Sequence, residues 1–239
     1  MNGIGTTLFA LPYAGGHSLV YRNLQPLLSP VVTLKAIDPP GRGRRSREPL
    51  ITDMEEMADD IFLQVKDELV DKPYAVFGHS MGSLLAYLLT RRIAAAALPL
   101  PKQLFCSGRG APSVPAAEIL TPPPKHTLPS AAFWAYIDSL GGVPPELKEH
   151  RELMDYFEPV LRADIKALEC YQYREAAQTL GVPLTVFYGL DDKEISSASL
   201  LPWRYESASG VTFIPLSGGH FGIFDQLPMV AQLLLKRLA

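Results

Sequence analysis

Tyr74-Ala75-Val76-Phe77-Gly78-His79-Ser80-Met81-Gly82 decides how the rest of the chain is read. Its first half is β-branched and aromatic, and an apolar run of helical character starts at Leu84. Between them stands Gly-x-Ser-x-Gly, in the strand–turn–helix setting that gives this motif meaning. The corner is too sharp for a side chain at either flank, hence the two glycines. It lifts the Ser80 hydroxyl clear of the sheet. It also leaves the Met81 N–H at a helix N-terminus, where it can donate to a developing oxyanion.

Working outward, short β-rich runs alternate with helical periods. Residues 6–11, 31–37, 74–77, 103–106, 184–188 and 211–216 read as strands. Most are nearly continuous apolar runs, as expected of parallel strands covered on both faces. Met54, Met57, Ala58, Ile61, Phe62, Val65 and Leu69 form an i, i+3, i+4, i+7 stripe. Asp53, Glu55 and Glu56 load the first turn of that helix with the charge its dipole favours. Residues 224–238 read as a terminal amphipathic helix. The order predicts an α/β fold, a mostly parallel sheet flanked by helices. The interval 112–173 breaks the alternation. It holds Pro112, Pro115, Pro122-Pro123-Pro124 and Pro144-Pro145, helical pieces around Phe133-Trp134-Ala135-Tyr136 and 161–171, and no good strand. It reads as a helical lid inserted over the carboxyl edge of the sheet, where ligands bind in such folds, within a single domain spanning 1–239.

Bulk properties agree with a globular enzyme. The 239 residues are 47% hydrophobic and 20% charged, enough for a sizeable core. A net charge of −3 argues against a nucleic-acid binder. Cys106 and Cys170 give neither a disulfide framework nor metal-ligand spacing, and Cys106 reads as an inert buried thiol. No basic segment precedes Leu8-Phe9-Ala10-Leu11. The apolar run 84–100 is split by Arg91-Arg92 and too short to span a bilayer. The expectation is a soluble cytoplasmic protein, a monomer, with no membrane or nucleic-acid partner.

A serine hydroxyl needs a base, and the base must be held in one tautomer. On this fold the chain order is Ser, then Asp or Glu, then His. Three histidines follow Ser80. His126 and His150 lie among polar residues of the proline-rich interval and are expected to be solvated. His220 follows the last strand and a Ser217-Gly218-Gly219 loop, where the base belongs. The acid should follow the preceding strand, in Gly189-Leu190-Asp191-Asp192; the spacing favours Asp192, with Asp191 as the alternative. A second oxyanion donor should come from the loop after the first strand, Pro12-Tyr13-Ala14-Gly15-Gly16, where small residues allow close backbone approach. The Ala14 N–H is favoured over that of Tyr13, while the bare alternative is a glycine-rich turn serving only chain reversal.

Seven blocks together carry a resemblance. They are Leu11-Pro12-Tyr13-Ala14-Gly15-Gly16, Pro39-Pro40-Gly41-Arg42-Gly43-Arg44, Phe77-Gly78-His79-Ser80-Met81-Gly82, Leu140-Gly141-Gly142-Val143-Pro144, Leu161-Arg162-Ala163-Asp164, Gly189-Leu190-Asp191-Asp192 and Gly218-Gly219-His220-Phe221. In this order and spacing the chain resembles a type II thioesterase of polyketide and non-ribosomal peptide synthesis, over nearly its whole length. The resemblance implies an α/β-hydrolase fold with a helical lid. It also implies editing of acyl or peptidyl carrier proteins, with Ser80, His220 and Asp192 as the triad. No metal or bound cofactor is implied, since the phosphopantetheine belongs to the partner.

Other features leave two readings each. Arg42, Arg44, Arg45 and Arg47 form either a contact for an acidic carrier protein or a solvated loop with structural pairs. Tyr13, Phe133, Trp134 and Tyr136 either line a substrate channel or, in the lid, form its core. Asp164, ionisable within an apolar helix, reads as a residue that fixes the lid. A general carboxylesterase of the same fold shares the triad, and a non-catalytic binding protein shares the fold.

Overall fold

The computed structural model describes residues 5–114, 123–175 and 178–238. Pro115 and Pro122 of the proline-rich interval lie outside them. Six strands, β1 (Thr6–Leu11), β2 (Val32–Ala36), β3 (Tyr74–His79), β4 (Leu104–Ser107), β5 (Leu184–Gly189) and β6 (Val211–Leu216), form one sheet in the order β2-β1-β3-β4-β5-β6. Every neighbouring pair is parallel. This is the α/β-hydrolase arrangement expected from the sequence. β3 runs two residues past the expected end because its ladder with β4 continues through Gly78 and His79, paired to Cys106 and Ser107.

The strand order reverses between β1 and β3, and crevices for ligands form at the carboxyl side of such a switch point. The loop after β1 carries Tyr13 to Gly16, and the corner after β3 carries Ser80. Topology alone therefore sets the two expected oxyanion donors side by side.

Helices cover both faces. Helix α1 (Met54–Val65) is capped by the Asp53 side chain, which accepts from the Glu55 and Glu56 N–H groups. It packs on α2 (Met81–Ala95), which is buried almost all round from Met81 to Thr90. The opposite face is closed by the terminal helix. Its Val230, Ala231, Leu234 and Leu238 bury against Leu8, Phe77, Phe105 and Phe187. That helix was expected to run unbroken over 224–238. It is instead a short turn, Gly222–Asp225, followed by a separate helix Leu227–Leu238. Pro228 lacks an N–H and suits a first turn, so the second helix starts there. The Gln226 side chain bridges the break to the Ser217 and Gly222 carbonyls.

Between β4 and β5 lie α3 (Ser130–Ser139) and α4 (Arg151–Cys170), with no strand among the described residues 123–173. Phe133, Trp134, Ile137, Val143, Leu161 and Ile165 form a core of their own.

Candidate active site

Ser80 has φ 55° and ψ −115°, a region that a residue with a side chain rarely occupies. Its surroundings enforce that conformation. A Cβ on Gly78 would lie 1.9 Å from the Gly82 carbonyl oxygen, and one on Gly82 would lie 2.0 Å from that of Leu11. The glycines thus let strand, corner and helix touch backbone to backbone. The Ser80 N–H donates to the Ser107 carbonyl at 2.7 Å, pinning the corner to β4.

His220 meets Ser80 across 140 positions of sequence. Its Nε2 lies 2.9 Å from Ser80 Oγ, and its Nδ1 lies 2.8 Å from Asp192 Oδ2. A ring that donates through Nδ1 to a carboxylate presents Nε2 as an acceptor, so the Ser80 O–H points at it. The Asp192 side chain is 1% exposed. Its other oxygen accepts the Glu194 N–H at 3.0 Å. Asp191 is exposed, and its backbone N–H donates to the Gly218 carbonyl. Of the two candidate carboxylates, only Asp192 is placed against the ring.

The turn after β1 has its amides sorted. Gly15 N–H donates to Asp164 and Gly16 N–H to the Tyr13 carbonyl. The Tyr13 and Ala14 N–H groups have no protein acceptor among the described residues. Ala14 and Ser80 line the same cavity, and the Met81 N–H opens helix α2.

That cavity measures about 370 Å³. Trp134, Ile137, Val143, Phe157, Leu161 and Ile165 from the lid give it an apolar wall, with Ser80 and His220 opposite in chemistry. Tyr13 and Tyr136 line it too, and Tyr13 packs edge-on against Phe221 at 4.9 Å. Phe133, expected as a substrate contact, does not line it. Phe133 is fully buried in the lid core, with the Arg162 guanidinium 4.2 Å from its ring. Neighbouring helical positions point about 100° apart, so Trp134 faces the cavity where Phe133 cannot. The Trp134 indole N–H is held by Glu158 at 2.8 Å.

His126 is not solvated as expected. It is half-buried, and Glu169 pairs with its ring while accepting the Lys125 and His126 N–H groups. A short helical turn there leaves amides that need an acceptor. His150 is exposed.

Two residues, His79 and Glu194, carried no usable sequence signal, and the basic loop divides between its two readings. His79, the variable residue of the motif, is fully buried with its ring 5.2 Å from that of His220. Burial, and then the neighbouring His220, hold its pKa well below the usual range. Its Nδ1 lies 3.1 Å from Ser107 Oγ. Glu194 lines the cavity, and burial raises its pKa against the pull of His220. Arg42 forms a buried ion pair with Asp164, and Arg45 pairs with Glu48 and Asp60, while Arg44 and Arg47 are exposed. The basic loop is therefore half structural.

The family model described as a thioesterase domain matches residues 6–238. Linear gramicidin dehydrogenase LgrE of Brevibacillus parabrevis is 35% identical over 92% of this chain and 82% of its own. The crystal structure of ClbQ from the colibactin NRPS/PKS pathway superposes with a TM-score of 0.91 at 30% identity, covering 98% of this chain and 97% of that one. The type II thioesterase BorB from the borrelidin biosynthetic cluster gives a TM-score of 0.88 at 28% identity, covering 100% and 94%.

Proposed function

The chain belongs to the thioesterase family and is a thioester hydrolase resembling the type II members, and we propose that it clears acyl or aminoacyl groups from the phosphopantetheine arm of carrier proteins in polyketide and non-ribosomal peptide assembly. The observation that carries this reading is the continuous relay Asp192–His220–Ser80 opening onto an apolar cavity of about 370 Å³.

In this mechanism His220 Nε2 takes the Ser80 proton as Oγ attacks the thioester carbonyl carbon. Asp192 holds the ring in the Nδ1–H tautomer and stabilises the imidazolium. The Met81 and Ala14 N–H groups receive the oxyanion. The C–S bond then breaks. A thiol is far more acidic than an amine, with a pKa near 8.5, so the pantetheine sulfur leaves with little help, and it carries off the proton that His220 took from Ser80, which returns the ring to its neutral form. His220 next deprotonates a water, which attacks the acyl-enzyme, and Ser80 recovers its proton as the free acid departs. The reading carries with it a carrier-protein partner, no bound cofactor or metal, and a monomeric enzyme in the cytoplasm. Among the described residues no helix is long and apolar enough to cross a membrane. LgrE is named a dehydrogenase, but here the turn after β1 reads Pro12-Tyr13-Ala14-Gly15-Gly16. It lacks the Gly-x-Gly-x-x-Gly spacing that a dinucleotide pyrophosphate needs.

The test is mass spectrometry of acetyl-, propionyl- and aminoacyl-loaded carrier proteins incubated with the protein and with its Ser80→Ala form. Loss of the acyl mass with the unaltered protein only is the expected result. Untouched carriers beside rapid cleavage of a p-nitrophenyl ester would make it a general esterase instead.

A further inference from the structure

The Asp164 carboxylate lies inside the apolar face of α4 at 0% exposure, and it binds two other segments at once. Oδ2 accepts the Gly15 N–H at 2.7 Å, from the turn after β1. Oδ1 accepts from Arg42 Nη2 at 2.8 Å, and Arg42 Nη1 reaches Oδ2, from the loop after β2. The Arg42 side chain is 4% exposed, and its Nε donates to the Pro40 carbonyl at 3.2 Å. Gly15 has φ +77°, and a Cβ on it would lie 2.5 Å from Leu161 of α4. Turn and lid helix therefore meet without space for a methyl group, and a charged hydrogen bond locks them.

The geometry of the peptide units gives this lock a chemical meaning. A trans peptide points its C=O and N–H in opposite directions. The Tyr13 carbonyl accepts from Gly16 N–H at 2.9 Å, inside the turn, so the Ala14 N–H of the same unit points out of it. The next unit, Ala14–Gly15, is held by the Gly15 N–H on Asp164. Glycine in the left-handed region has ready alternatives. Without that acceptor the Ala14–Gly15 unit is free to turn over, which leaves the Gly16–Tyr13 bond as the remaining hold on the unit that aims the Ala14 N–H.

We propose that Asp164, backed by Arg42, is a positioning residue for the oxyanion hole, so that the docked carboxyl-terminal half of the lid helix sets the aim of the Ala14 N–H. It follows that α4 from Leu161 onward stays seated on the turn while substrate reacts. Any opening of the lid belongs to segments before Pro159, which already lacks the N–H of a helix interior. Asp164 touches neither substrate nor the reacting atoms and works entirely through Gly15.

The inference rests on the catalytic reading above, and two paired substitutions test it. Replacing a buried ion pair as a pair, not singly, avoids stranding a charge. Arg42→Met with Asp164→Leu removes the acceptor under Gly15. Arg42→Gln with Asp164→Asn keeps a carbonyl oxygen there without charge. Both are assayed on a propionyl-pantetheine thioester, with thermal melts to establish folding. Losing an oxyanion donor lowers kcat by about 10²-fold. The apolar pair should approach that loss with KM unchanged, and its affinity for a boronic acid that mimics the tetrahedral intermediate should fall in parallel. The pH at half-maximal rate on the acid limb should not move, because the His220–Asp192 contact is intact. The amide pair should recover most of the loss. Wild-type kcat in the folded apolar pair would overturn the inference. So would equal losses in both pairs, or a loss confined to KM. If the apolar pair does not fold, the amide pair alone decides. Its boronate affinity and kcat falling together, by severalfold, supports the inference; a fall in stability with kcat and boronate affinity untouched overturns it. Failure of the unaltered protein on every thioester would instead refute the catalytic reading itself.

Discussion

Ser80 is held in a conformation that costs about 1–3 kcal/mol for a residue with a side chain. The backbone contacts of Gly78 and Gly82 over-determine it. Ser80→Gly should therefore melt above Ser80→Ala, by about 1 kcal/mol in unfolding free energy, although both are expected to be inactive; equal stability in chemical denaturation would mean that the corner is unstrained. His79 makes a second residue-scale prediction. It is buried and its pKa is depressed, so the folded protein keeps it neutral where the unfolded chain takes up a proton. Stability tied to His79 is thus complete above pH ~6.5 and falls as the pH drops below that value, with a limiting slope of about 1.4 kcal/mol per pH unit. Between pH 7 and 5 the denaturation midpoint of His79→Gln should fall less steeply than that of the unaltered protein. Parallel slopes would assign the acid sensitivity to other groups.

Helix α3 shows why the break in alternation located the lid but could not divide its aromatics between the cavity and the lid core. Phe133 and Trp134 are adjacent aromatics, and only packing decides which of the two faces the cavity. Phe133 is sealed by Leu161, Ile165 and the Arg162 guanidinium, while Trp134 borders the cavity and is tethered to Glu158. The lid core is a cluster separate from those on either side of the sheet. Phe133→Ala should therefore act locally. It removes about 3–5 kcal/mol of packing, more than such a small cluster can lose and stay ordered. Limited proteolysis is expected to cut within 123–170 early, leaving a resistant sheet. Uniform digestion of the whole chain would show instead that lid and sheet unfold together.

The molecule as a whole converges its chemistry on one sheet edge. The loops after β1, β3, β5 and β6 deliver Ala14, Ser80, Asp192 and His220 respectively, with the strand order reversing between the first two. Two helical faces close the sheet, so its central strands read as nearly continuous apolar runs, with buried polar residues at few positions such as His79, Ser107 and Thr185. The carboxylates and cations held inside are those that join segments. Asp38 accepts from the Ser18 and Arg44 N–H groups, as Asp164 does from Gly15 and Arg42.

By itself the sequence determined the parallel α/β sheet, the strand–Ser80–helix corner, and the chain order that makes His220 the histidine to watch. The corner depends on near neighbours, where spacing fixes geometry, while the sheet and the histidine are legible from the order of elements along the chain. Only the tertiary structure decided what depends on distant segments meeting. It set Asp192 rather than Asp191 against the ring, although the two are adjacent and chemically alike. It turned Trp134 and not Phe133 to the cavity. It paired His126 with Glu169, and it joined Arg42 to Asp164 across 122 positions of sequence. A carboxylate's partner is set by which chain is folded against it, and no local pattern of residues records that.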